Sequence, residues 1–124
     1  MNLNQVTISS KNLEKAVAFY TLLGLKLIVD ALPRYARFEC PDGEATFSIH
    51  FNESMQQSDN TTIYFEDNNM DDLVEELKQK GLRFKTNPED QSWLWREASL
   101  LDPDGNKIII YKAGEHRKNP PWKI

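Results

Sequence analysis

The sequence predicts an α+β fold of two tandem βαβββ modules, which form a cleft-bearing, partly open curved sheet with the helices on its outer face. An internal repeat is the first observation behind this prediction. A helical segment that ends at 24–25 has a counterpart that ends at 81–82, an offset of 57 residues. The Pro-Asp-Gly turn at 41–43 recurs at 103–105. These turns are 62 residues apart, a larger offset than the 57 residues between the helices, so the second module carries about five extra residues. We assign them to a loop at 87–92.

The first module, residues 1–52, is expected to contain one helix and four strands. The helix covers 13–23, because apolar residues recur there at helical spacing. Asn12 can cap its first turn, and Gly24 stands where a helix commonly takes a left-handed residue. The predicted strands cover 3–9, 25–30, 34–40 and 45–52.

The second module, residues 61–113, repeats this order after a polar linker at 53–60. A tail at 114–124 follows, and the whole chain is expected to be one domain, 1–124. The helix is predicted at 70–80. The predicted strands cover 61–66, 82–85, 94–101 and 107–112.

Strand alternation is the second observation, and it separates the two faces of the sheet. Side chains alternate between faces along a strand, so the apolar positions should share the face that packs on the helices. In the first and fourth strands these positions are Val6, Ile8, Phe47, Ile49 and Phe51.

The opposite face is predicted to be polar. A four-residue turn after position 40 places Arg37 opposite Ser48 and Tyr35 opposite His50, a register in which hydrophobicity matches on both strands. The second module is expected to add residues to the same face: Thr62, Tyr64, Glu66, Ile109 and Tyr111. Two interpretations fit, a solvated antiparallel sheet or a ligand-binding cleft. We favour the cleft, because its tyrosines combine apolar rings with polar tips.

Composition excludes several classes of protein. The 124 residues carry a formal net charge of −4, which argues against non-specific binding to nucleic acid. No apolar run approaches the ~20 residues that cross a membrane, and no signal peptide is evident at the N-terminus. The single cysteine, Cys40, cannot form an internal disulfide. These features favour a cytoplasmic protein that binds neither nucleic acid nor membrane.

The repeat resembles the vicinal oxygen chelate superfamily, also called the glyoxalase/bleomycin resistance/dioxygenase group. The resemblance rests on the opening strand, on the segment at 12–20 followed by Leu-Gly-Leu at 23–25, and on Asp-Pro-Asp-Gly-Asn-Lys-Ile at 102–108. It covers nearly the whole chain. It implies paired βαβββ modules, a U-shaped cleft, frequently a homodimer and, in the enzymes of the family, one divalent metal in the cleft.

The resemblance places the family's metal-ligand positions on Gln5, Ser48, Thr62 and Ile109. Of these, Gln5 alone could ligate a metal, because isoleucine offers no donor atom and neutral hydroxyl groups are poor ligands for transition metals. The chain is therefore expected to hold no metal and no other cofactor at the usual position. This argues against glyoxalase I and extradiol dioxygenase activity, and it leaves open whether the chain is an enzyme.

Three alternatives follow. The first, which we favour, is metal-independent binding of a small organic molecule. The second is a lyase, isomerase or dioxygenase with a relocated metal on Gln5, His50 and Glu66, or with His50 as a catalytic base. The third is a homodimeric module with a vestigial cleft. The candidate ligand-binding residues are Gln5, Tyr35, Arg37, Ser48, His50, Thr62, Tyr64, Trp95, Ile109 and Tyr111.

Five further side chains are interpreted individually. Arg37 could bind an anion, or it could form a salt bridge with Glu39 or a neighbouring strand. The facing of Trp93, Trp95 and Arg96 is left open by the pattern. His116 is interpreted as part of a solvated charged cluster in the tail.

Overall fold

The structure is a computed structural model that describes residues 1–56 and 61–124. The chain divides into two compact units. Unit one comprises Met1–Gln57 with Asp102–Asp104, and unit two comprises Ser58–Leu101 with Gly105–Ile124. Part of the linker predicted at 53–60, namely 57–60, lies outside the described residues.

Each unit has the βαβββ order that the sequence predicts, so the predicted fold class is confirmed. Unit one contains β1 (Gln5–Ser10), α1 (Leu13–Leu23), β2 (Lys26–Ala31), β3 (Tyr35–Glu39) and β4 (Thr46–Phe51). Unit two contains β5 (Thr62–Glu66), α2 (Met70–Gln79), β6 (Phe84–Asp90), β7 (Arg96–Leu101) and β8 (Lys107–Lys112). A short 3-10 turn at Gly114–Arg117, here called the tail turn, follows β8.

The two four-stranded sheets have the same topology, with strand orders β1-β4-β3-β2 and β5-β8-β7-β6. The opening strand runs parallel to the closing strand in each sheet, and the other pairs are antiparallel. Arg37 pairs with Ser48 and Tyr35 pairs with His50, as predicted. The turn that sets this register is closed by a bond from the Cys40 amide to the carbonyl of residue 45, at 3.1 Å.

The repeat offset of 57 is confirmed, because Gln5 and Thr62 open equivalent strands. The predicted strand at 82–85 and loop at 87–92 are wrong. Instead, β6 continues to Asp90 and shifts its register against β7 twice, between Phe84 and Thr86 and again between Thr86 and Glu89. Bulges of this kind take up additional residues within a strand, so most of the expected loop is absorbed into the sheet.

Helix α1 is capped as its sequence predicts and forms the core of unit one. The Asn12 side chain accepts a bond from the Lys15 amide, and Gly24 adopts a left-handed conformation with φ of 116°. Tyr20 is fully buried, and its ring lies 4.6 Å from that of Phe47, measured between centroids. Its hydroxyl group donates to Asp102 Oδ2 at 2.6 Å, which joins the 102–104 segment to this unit.

The expected burial of Val6 and Phe51 is wrong, since they are 41% and 44% exposed. Helix α1 packs mainly on β2, β3 and β4. It therefore leaves the start of the edge strand β1 uncovered, and Phe51 is the last residue of β4. Within the described residues, neither helix has the length and apolar character needed to span a membrane.

Candidate ligand-binding site

The face of the unit one sheet that carries the predicted polar residues holds a chain of hydroxyl groups. Thr7 and Ser48 lie opposite each other on β1 and β4, and their hydroxyl oxygens are 2.6 Å apart. Ser48 is fully buried although it is polar. Its hydrogen bonding offsets the cost of removing the hydroxyl group from water, which explains why this position tolerates burial.

Arg37 and Tyr35 lie beside these hydroxyl groups on β3. The Arg37 Nε–H donates to the Tyr35 hydroxyl oxygen at 2.8 Å, and the guanidinium carbon is 5.5 Å from the centre of the Tyr35 ring. Hydrogen bonding from Ser48, and secondarily the bond and charge of Arg37, hold the pKa of Tyr35 below its usual value. These contacts restrict the orientation of both side chains.

The charge of Arg37 is not neutralised within the described part of the chain. The salt bridge with Glu39 that the sequence left open does not form, because Glu39 lies 3.4 Å from Lys26 on the neighbouring strand. Arg37 is half-buried, and its terminal nitrogens have no carboxylate partner among residues 1–56 and 61–124. A cation in this setting can bind an anionic group with two parallel hydrogen bonds.

The structure does not bring Gln5 and His50 together. Gln5 accepts a bond from the Thr46 hydroxyl group at 2.8 Å, whereas His50 Nε2 lies 2.9 Å from the Ser9 hydroxyl oxygen. Four residues of strand separate these two pairs, which is about 13 Å at the usual rise per residue. Gln5 and His50 are therefore too far apart to hold the same metal ion.

On the equivalent face of unit two, Thr62, Tyr64 and Glu66 are exposed, whereas the part formed by β8 is buried and corrects the prediction of a wholly polar face. Ile109 and Tyr111 are buried with Ala113 in a cluster against which Trp95 packs. The Trp95 and Tyr111 rings stack at 4.8 Å, and Tyr64 meets Tyr111 edge-on at 5.4 Å. Aromatic rings therefore cover the part of this face that β8 forms.

Two remaining candidates on β5 have separate surroundings. Thr62 is exposed and pairs with Lys107 at the start of the parallel ladder. Glu66 Oε2 accepts bonds from the amides of Ala113 and Gly114, at 3.1 and 3.3 Å. Glu66 thus anchors the beginning of the tail, and its other carboxylate oxygen lies 3.6 Å from the Arg117 guanidinium.

The residues at the family's metal-ligand positions do not fit a metal ion. Ile109 is 3% exposed inside the apolar cluster, and Ser48 is engaged with Thr7. Among the described residues, no group of three or more His, Cys, Asp or Glu side chains could hold a metal. We therefore derive no chemistry through a metal at this position.

The structure settles the facing of the side chains near β7. Arg96 makes two bonds to Asp71, at 2.9 and 3.0 Å, and one to Asp90 at 3.0 Å. Hydrogen bonding from Arg96 holds the pKa of Asp71 below its usual value. Trp93 is largely exposed and donates to Glu97 at 3.0 Å. Arg96 is thus a structural clamp rather than an available cation.

Sequence reasoning missed a cavity of about 480 Å³ in unit two. His116, interpreted as solvated, lines this cavity together with Trp95 and Lys112. The signal that could have indicated it is Gly114, which directly follows the last strand and turns the chain back with a φ of 55°. The first turn of the tail is therefore held against unit two, through the Gly114 amide and the His116 carbonyl oxygen.

Comparison with known proteins supports the architecture. The sequence model of the Glyoxalase/Bleomycin resistance protein/Dioxygenase superfamily matches residues 2–110. No protein of curated function shows significant sequence similarity to the chain.

Solved structures share the fold at low sequence identity. A glyoxalase/bleomycin resistance protein/dioxygenase from Nocardioides has a TM-score of 0.79 and 21% identity, covering 100% of this chain and 89% of its own. A bleomycin-binding protein complexed with bleomycin has a TM-score of 0.73 and 16% identity, covering 90% and 98%. Lactoylglutathione lyase from Agrobacterium tumefaciens has a TM-score of 0.73 and 16% identity, covering 90% and 92%. At these identities the likeness shows the fold alone.

Proposed function

We propose that this chain, which belongs to the Glyoxalase/Bleomycin resistance protein/Dioxygenase superfamily, binds a small organic molecule that carries an acidic group, and that it does so without a metal ion. The proposed binding face is the polar face of the unit one sheet. The known structure of a bleomycin-binding protein with this fold supports small-molecule binding as a function that the fold can perform.

The observation that carries the proposal is the half-buried guanidinium of Arg37 without a carboxylate partner in the described chain. Leaving a partly buried cation unpaired is costly, whereas pairing it with a carboxylate or phosphate gives short, charge-assisted hydrogen bonds. Tyr35 fixes the guanidinium through its bond to Nε, which leaves the terminal nitrogens to meet an acid.

Neighbouring groups complete a polar surface suited to an organic acid. The exposed imidazole of His50 lies on the strand next to Arg37, and the exposed hydroxyl group of Thr7 lies one strand further on. They can accept or donate further hydrogen bonds. The Tyr35 ring offers an apolar surface for the carbon skeleton of the bound molecule.

Homodimer formation and a cytoplasmic location are part of this proposal. The dimer is supported by the family resemblance, and the compartment by the single cysteine. Light scattering of the purified chain tests the first, because a homodimer has a mass of twice 14.4 kDa.

The proposed function is tested with phenylacetate and phenylphosphate, each compared with a neutral counterpart, phenylacetamide and benzyl alcohol. Isothermal calorimetry should detect binding of the acids and much weaker binding of the neutral compounds. Arg37→Ala should weaken the acids roughly ten- to a hundred-fold, the loss of hydrogen bonds to a charged group. Arg37→Lys should retain part of the affinity, because it keeps the charge but loses the planar fork.

Arg83→Ala is the matched control, because Arg83 is an exposed arginine of unit two and its removal changes the net charge equally. The proposal fails if acids and neutral compounds bind alike. It also fails if Arg83→Ala weakens binding as much as Arg37→Ala, since the effect would then come from net charge.

A further inference from the structure

The cavity in unit two lies between the turn that joins β6 to β7 and the tail turn. Its volume of about 480 Å³ falls within the range of small-molecule sites. The end of β8 forms its floor through Lys112 and Ala113, and the β6–β7 turn lines it through Gln91 and Leu94. Each part of this lining belongs to unit two, so the cavity is formed by one module alone.

An imidazole in the cavity wall lacks a partner. The His116 Nδ1 atom is shielded from solvent and has no hydrogen-bond partner among the described residues. Its other nitrogen, Nε2, lies 3.9 Å from Glu115, too far for a hydrogen bond. The Trp95 indole donates to the His116 carbonyl oxygen at 3.3 Å and helps to fix the tail turn. Because Nδ1 is shielded from solvent, a molecule in the cavity does not reach this atom, and His116 lines the cavity through its other atoms.

The cavity also holds a cation that is available for binding. Arg96 lines it, but its guanidinium is occupied by Asp71 and Asp90. Lys112 lines it too, and its ammonium group forms no ion pair within the described part of the chain. The charge of Lys112 helps to lower the pKa of Asp71, so an anionic group bound in the cavity would share this cation with the Asp71 carboxylate.

The opposite wall combines the apolar side chains of Leu94 and Trp95 with Asp90 and Gln91, and its turn is strained at Leu94. Leu94 has a φ of 70°, a left-handed conformation that is rare for a residue with a branched side chain. Two backbone hydrogen bonds fix the turn. The Leu94 amide donates to the Gln91 carbonyl oxygen at 3.0 Å, and the Gln91 amide donates to the Trp95 carbonyl oxygen at 2.7 Å. This arrangement presents Leu94 and Trp95 to the cavity together.

We propose that this cavity is a second binding site, for a small aromatic carboxylate. The carboxylate would pair with the Lys112 ammonium group, and His116 would form part of the wall beside it. The ring would lie against Leu94 and Trp95. This inference does not rest on the site at Arg37, since it uses other residues in the other unit.

Benzoate is the probe, and benzamide is its neutral counterpart of the same shape. Titration of the full-length ¹⁵N-labelled chain with benzoate should move the Trp95 indole and Gly114 amide resonances in NMR spectra. Benzamide should bind at least tenfold more weakly. Lys112→Met and His116→Ala should each weaken benzoate about tenfold. Lys107→Met is the matched control on the same strand, and its exposed ammonium group should be dispensable.

Each remaining outcome overturns the proposal. It is wrong if benzamide binds as well as benzoate, or if Lys107→Met and Lys112→Met weaken benzoate equally. It is also wrong if Arg37→Ala abolishes the shifts at Trp95, because a single site would then account for both observations. Should His116→Ala fail to fold, His116→Gln and Lys112→Met carry the test.

Discussion

Removal of the Tyr20 hydroxyl group should lower the free energy of unfolding by about 2 kcal/mol. The hydroxyl group donates to Asp102 at 2.6 Å, and both side chains are buried. Hydrogen bonds to charged groups contribute about 1.5–3 kcal/mol, and Tyr20→Phe removes this one with little change in volume. For a domain of this length, about 4 °C is lost per kcal/mol, so the melting temperature should fall by about 6–12 °C.

The assay is thermal and urea denaturation followed by circular dichroism, applied to the single variants and to their combination. Asp102→Asn should be at least as destabilising as Tyr20→Phe, because Asp102 also accepts a bond from the Asp104 amide at 2.9 Å. The double variant should lose less than the sum of the two, by the coupling energy of the pair. Tyr64→Phe is the control, since Tyr64 is 47% exposed.

Two results would refute the reasoning. One is a Tyr20→Phe variant as stable as the Tyr64→Phe control, within about 0.5 kcal/mol, since surface changes are usually of that size. The other is strict additivity in the double variant, which would show that the two groups do not interact in the folded protein. Either would mean that the 102–104 segment is not held to α1 by this bond.

Three further predictions concern the faces and the cavity. In an ultraviolet titration of the four tyrosines, Tyr35 should ionise at the lowest pH. Ser48→Ala should raise the pKa of Tyr35, because the phenolate loses its main hydrogen-bond donor. The prediction is contradicted if the first ionisation occurs at the same pH in this variant. Leu94→Val should lower the free energy of unfolding by about 1 kcal/mol, because a β-branched side chain is disfavoured in the left-handed conformation. Leu94→Gly should not lower it, and urea denaturation of both variants tests the difference. After chelator treatment, Ni²⁺, Zn²⁺ or Mn²⁺ should leave the melting temperature unchanged, whereas a shift of several degrees that disappears in His50→Ala would establish a relocated metal site.

The fold and the register between β3 and β4 were predictable from the sequence because they depend on local patterns. The repeat offset located both helices, and the alternation in β3 and β4 was sharp enough to pair Arg37 with Ser48. A one-residue slip would have moved Phe38, which is fully buried, to the opposite face. Because exposing the Phe38 ring to water would be costly, this register could be predicted from the sequence.

Features that depend on contacts distant in sequence could not be predicted. No distinctive residue type marks the bulges in β6, so the segment that ends at Asp90 was predicted to be a loop. His116 lies between charged residues in the sequence and was therefore predicted to be solvated. In the structure, the Glu66 carboxylate accepts bonds from the amides of Ala113 and Gly114 and so holds the start of the tail against unit two. Neither effect leaves a periodic signal, because each arises from one tertiary contact.

The two modules share a backbone plan but have acquired opposite chemistry on equivalent strand faces. The pairing of Thr7 with Ser48 on parallel strands corresponds to the pairing of Tyr64 with Ile109. In unit one this pair is a hydroxyl contact beside an unpaired guanidinium, and in unit two it belongs to an aromatic and apolar surface. Neither pair supplies the donor atoms that a transition metal prefers. The face of unit one instead suits recognition of an acidic group, whereas the aromatic and apolar part of the face in unit two suits burial of a carbon skeleton.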